Sequence, residues 1–134
     1  MADAVTSTTI VDSERLAVLQ FTNTSDGTGE SAVTKVDVSA LNPSSNGQTC
    51  TGVHLAKICY STFGMSIKLL WDADTDTICW DLNSNYADSE DFSEFGGLVN
   101  TSGTGKTGDI KLTTADHSSG DSYVIVLTLI KSYG

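Results

Sequence analysis

The stretch Ser61–Leu82, STFGMSIKLLWDADTDTICWDL, constrains the fold more than any other. It sets two apolar runs around a short acidic turn and holds both tryptophans, Trp71 and Trp80. Two β-forming runs flanking turn-favouring aspartates read as a hairpin. Ile67, Leu69 and Trp71 fall in phase on the first strand. On the second, Ile78 and Trp80 share one side and Cys79 takes the other. The hairpin predicts buried tryptophans and a tip carrying Asp72, Asp74 and Asp76.

The rest of the chain repeats the pattern of short runs between turns. Arg15–Asn23 and Ser122–Ser132 are apolar on both faces, which predicts strands in the middle of a domain. Ala32–Leu41 alternates, with Val36 and Val38 on one side and Lys35 and Asp37 on the other, as a half-wet strand does. Thr49–Ser61 reads as a less regular strand, with His54, Ile58 and Tyr60 on one face and Val53, Leu55 and Cys59 on the other. Asp109–Thr114 is a short strand with Ile110 and Leu112 in phase. Thr24–Ser31, Asn42–Gln48, Leu98–Gly108 and Asp116–Asp121 carry Gly, Asn, Asp, Ser and Pro signals for loops, the first long enough to be mobile. Between Asn83 and Gly97 the β pattern breaks. Asp88–Phe95 predicts one or two helical turns capped by Asp88 or Ser89 and stopped by Gly96 and Gly97, with Phe92 and Phe95 plugging the core.

Eight or so short strands separated by turns predict an all-β protein. The expected architecture is an antiparallel β-sandwich, jelly-roll-like, with at most one short helix. At 134 residues the expectation is one such domain over residues 14–134, preceded by residues 1–13 as a flexible arm or edge strand.

Charge narrows the partners. Seventeen acidic residues face seven basic ones, for a net −10. That argues against nucleic acid, whose affinity rests on Lys and Arg neutralising phosphates, and against anionic membranes. No run approaches the ~20 apolar residues of a membrane helix, and the N-terminus lacks the pattern of a signal peptide. Three cysteines, Cys50, Cys59 and Cys79, with no C-x-x-C spacing, predict free thiols in a reducing cytosol.

The motifs that suggest chemistry each fail a test. Gly103–Thr107 resembles the end of a phosphate loop. The required first glycine falls on Asn100, and a strand follows instead of a helix. Asp72–Asp76 begins like a calcium loop, but position six is Thr77 and position twelve is Asn83. A surface cation shared with the Asp88–Glu94 carboxylates is the remaining metal reading. His54 and His117 have no partner at zinc spacing, and serines are too common to mark a triad. Trp71, Trp80, Tyr60 and Tyr86 compose either a sugar-stacking platform or ordinary core. The sequence therefore predicts a protein that is not an enzyme, with no catalytic, cofactor or metal residue assigned.

Residues 58–131, just over half the chain, carry a likeness. Ile58–Ser61, Gly64–Ala73, Asp91–Gly97, Gly103–Ile110 and Gly120–Leu127 resemble small virion structural proteins of tailed phages, marine and cyanobacterial ones among them. The resemblance implies a non-enzymatic protein made in the host cytoplasm and located in the virion. The implied role is a capsid decoration or cement protein that binds the major capsid protein or other virion proteins as a homo-oligomer. A neck or tail component is the second reading, and a carbohydrate-binding module the third.

Overall fold

The computed structural model describes residues 4–115 and 118–133. Nine strands run through them: β1 (Ala4–Asp12), β2 (Leu16–Thr24), β3 (Val33–Val36), β4 (Cys50–Phe63), β5 (Ser66–Trp71), β6 (Thr77–Leu82), β7 (Ala87–Asp91), β8 (Ile110–Ala115) and β9 (Ser122–Tyr133). Two single 3-10 turns, Val38–Ala40 and Ser93–Phe95, are the only helical pieces among the described residues. The strands form two sheets, ordered β1-β2-β9-β4-β7 and β3-β8-β5-β6, and every pairing is antiparallel.

That order is a nest. The β5–β6 hairpin is the innermost pair, and β4 with β7, β3 with β8, and β2 with β9 wrap it in turn. A long hairpin rolled up in this way is an eight-stranded jelly roll, here with β1 added outside β2. The fold class read from the sequence is the observed one.

The two inner faces make the core. β9 supplies Tyr123, Ile125, Leu127 and Leu129, and β2 supplies Ala17, Leu19 and Phe21. Across from them lie Ile67, Leu69 and Trp71 of β5 and Ile110 and Leu112 of β8. Phe92 closes one opening edge-on against Trp80, with ring centroids 5.0 Å apart.

Several local expectations change. β4 carries a bulge between Leu55 and Lys57, so Val53, Leu55 and Ile58 share the buried face and Cys59 turns outward. A second bulge, opposite Leu69 and Leu70, lets Trp80 pair with Leu69 while Ile78 pairs with Leu70. Ile78 is therefore exposed, Cys79 is buried and Trp80 is half-buried. One inserted residue reverses the phase of everything after it. The Ala32–Leu41 strand stops at Val36, because the Asp37 carboxylate accepts a hydrogen bond from the Ser39 N–H and starts a 3-10 turn. Asp88–Asp91 pairs with β4 instead of coiling, which leaves one short turn after Phe92. The Phe95 side chain lies outside the described residues, as do Asp116 and His117.

A buried polar knot ties the sheets together. Glu30 Oε1 accepts from Asn23 Nδ2 at 2.7 Å and from the Tyr123 hydroxyl at 2.6 Å. Its other oxygen meets Lys35 Nζ at 2.5 Å, with both side chains under a tenth exposed. The Glu30 N–H donates to Thr114 Oγ1 of β8. The Thr24–Ser31 loop, expected to be mobile, is thus pinned at Glu30.

Three outcomes follow from this packing. Ile125→Ala, which opens a cavity in the core, lowers unfolding free energy by about 2–5 kcal/mol in chemical denaturation. Val124→Ala, on the opposite face, changes it by about 0.5 kcal/mol or less. Lys35→Ala leaves the Glu30 carboxylate buried without its cation and costs about 3–5 kcal/mol.

Candidate functional site

Side chains alternate along each strand, so the residues between the core positions form the outer face of the five-stranded sheet. The pairing register arranges them in rows. Leu16, Ile130 and His54 lie side by side. The next row is Val11, Val18, Thr128, Lys57 and Asp91. Thr8, Gln20, Val126, Cys59 and Ser89 follow, then Thr6, Thr22, Val124, Ser61 and Ala87. No described element covers these rows, and Val124 is 40% exposed on the central strand.

The electrostatics of this face differ from those of the whole chain. Lys57 and Asp91 are its only charged residues in these rows, and they sit opposite each other. The net −10 is carried elsewhere. The middle of the face is Thr, Val, Gln and Cys, with an open depression between β9, β4 and β7 lined by Cys59, Tyr60, Ser61, Ala87, Val124 and Val126 and, at its β7 rim, Asp88. A charge-poor and partly apolar surface can bury area against a partner without stripping water from charges.

The residues singled out for chemistry sit differently. Asp72 and Asp76 do converge at the β5–β6 tip, but Lys111 of β8 fills the space between them. Its Nζ lies 2.8 Å from Asp72 Oδ1 and 3.5 Å from Asp76 Oδ2. Asp72 also accepts from Thr107 Oγ1 at 2.7 Å, and its main chain bonds Thr107 and Asp109. Asp74 packs so tightly on Gly105, at φ +82°, that a Cβ there would meet its carboxylate at 2.2 Å. The tip is a clasp holding the Leu98–Gly108 loop. Among the described residues no group of three or more His, Cys, Asp or Glu surrounds a common point.

Trp71 belongs to the core and Trp80 faces Phe92, so neither forms a platform. Tyr60 and Tyr86 stack at 6.3 Å, with Tyr86 half exposed. His54 Nδ1 lies 3.2 Å from the Gly96 carbonyl oxygen, beside a polar cleft bordered by Asn100, Lys106 and Thr107. All three thiols are free, and burial pushes that of Cys79 up to about 12, which keeps it protonated and unreactive at neutral pH. No described helix is long and apolar enough to cross a membrane. Comparison with protein-family models, with curated proteins and with solved structures found no match to this chain.

The clasp makes stability depend on pH. Hydrogen bonds from Lys111 and Thr107 hold the Asp72 carboxyl below the usual carboxylate range. A depressed carboxyl stabilises fully above its unfolded value of about 3.9, and that contribution is lost as pH falls through the lower folded value. Lys111 is raised, chiefly by the hydrogen bond to Asp72, so its share is complete below about 10.4 and is lost as pH climbs through the folded value. Lys111→Met is expected to lower the melting temperature at neutral pH and to flatten its decline at both extremes, measured by thermal melts across pH.

Proposed function

We propose that this chain is a non-enzymatic structural protein of a tailed-phage virion, most simply a capsid decoration or cement protein. It docks on the outer capsid surface through the outer face of the β1-β2-β9-β4-β7 sheet. The observation that carries this reading is the contrast between that face, with one Lys–Asp pair, and a chain of net charge −10. The near-neutral face suits contact with a protein shell. The acidic remainder suits solubility and repels packaged DNA. The jelly roll is compatible by analogy, since the same architecture serves in viral capsid domains, although a fold alone does not assign a role. A neck or tail position uses the same docking logic.

Jelly rolls also serve as lectins, and for a sugar-binding module the exposed Tyr86 against Tyr60 is the aromatic pair at the surface among the described residues. Trp71 and Trp80 are turned to the core, so sugars leave tryptophan fluorescence unchanged on the virion reading.

Cryo-electron microscopy of purified particles tests the reading, with the chain expected on the head exterior. Heads lacking it lose DNA at lower temperature or salt stress and regain resistance when the protein is added back. Val124→Asp, which places a charge in the middle of the face, weakens binding to stripped heads roughly tenfold or more, about 1.4 kcal/mol. Loss of tails or of adsorption without any change in head stability would move the protein to the neck or tail.

A further inference from the structure

We propose that two copies of this chain pair antiparallel along β1, about a twofold axis normal to the sheet, to make one continuous ten-stranded sheet. The inference stands on the edge strand and does not rest on the virion reading.

A sheet edge offers unpaired N–H and C=O groups, and proteins usually guard it with charge, brevity or a bulge. Three of the four edges here are guarded. β7 carries Asp88, Glu90 and Asp91 in five residues. β3 is four residues long and holds Lys35. β6 is bulged and carries Asp81. β1 differs: it is nine residues long, its one bulge lies past Thr9 and leaves the register with β2 unbroken from Ala4 to Thr9, and its first charge is Asp12. No main-chain bond joins the Ala4–Val11 backbone to anything beyond β2 among the described residues.

The edge is also tied down at its Asp12 end. Lys131 Nζ, fully buried, donates to Asp12 Oδ1 at 2.7 Å, to the Ser13 carbonyl at 2.9 Å and to the Asn42 carbonyl at 2.7 Å. Little ordering cost remains when a partner strand arrives.

Charge selects a second copy as the occupant. A chain of net −10 approaches its own kind only where both surfaces lack carboxylates, and β1 is the edge that meets this condition on both sides of a twofold. Geometry then sets the register. Free N–H and C=O groups recur at every second residue along the outer edge. Opposed residues of two identical strands must therefore have the same parity, and centring the run from Ala4 to Ile10 on the twofold puts Ser7 opposite Ser7, Thr6 opposite Thr8 and Val5 opposite Thr9. Residues of like parity also put their side chains on one side, so the outer faces of both five-stranded sheets lie on the same side of the joined sheet. The bulge between Thr9 and Val11 limits the straight run to this segment.

Sedimentation velocity on the full chain over a concentration series reads the result. The wild type is expected to run as a dimer that dissociates on dilution. A Thr6→Lys/Thr8→Lys variant and a Thr6→Glu/Thr8→Glu variant each place like charges across the twofold and should halve the mass. An equimolar mixture of the two should restore it, which also shows that both fold. Amide exchange of wild-type Val5–Thr9 should slow as concentration rises, a readout that needs no variant. A wild-type chain that stays monomeric, variants that keep the dimer, or β1 exchange independent of concentration overturns the proposal.

Discussion

The structure depends on β9 lying between β2 and β4. Its twelve residues pair with nine of β2 on one side and run the length of β4 on the other. This ladder brings the last segment of the chain against one near its start, and the nest of hairpins closes only once it is made. Apolar side chains on its inner face then meet β5 and β8 across the sandwich. Burial at about 25 cal/mol per Å² of apolar surface drives that meeting, and the ladder fixes which residues take part.

The polar groups left inside are placed where the two sheets would otherwise slide. Glu30 reaches Asn23 and Tyr123 on one sheet and Lys35 and Thr114 on the other. A satisfied buried network of this kind favours one relative placement of the layers over its neighbours. Lys131 acts likewise at a corner, tying the start of the β1–β2 turn to the end of β9. The Lys111 clasp fixes the long glycine-rich loop to the innermost hairpin. Three of the loops rich in turn residues are in this way fastened through a charged side chain.

Much of the fold was legible because alternation and turn chemistry are local. β2, β5, β8 and β9 fall where periodicity puts them, with Ile67, Leu69 and Trp71, and Tyr123 through Leu129, facing inward. The misses have one physical origin, tertiary context acting on short segments. Ala56 and Cys79 are the extra residues of bulges, and neither residue type marks one, so phase after them was misread. Asp88–Asp91 has little strand propensity and pairs because β4 leaves an open edge beside it. Glu30 carries no local signal in its Gly/Thr loop, and two of its partners, Thr114 and Tyr123, lie 84 and 93 residues away. The charge-poor outer face was not legible at all, since it exists only once the register sets β1, β2, β9, β4 and β7 side by side.

Native-state hydrogen exchange tests the account most directly, because it ranks strands by how much of the fold must open to release them. Amides of β9 from Ile125 to Leu129 should exchange slowest, at the free energy of global unfolding, with the facing residues of β2 and β4 close behind. Exchange of β9 as fast as that of the edge strand β7, or slowest protection in β5 and β6 with β9 opening separately, would contradict it.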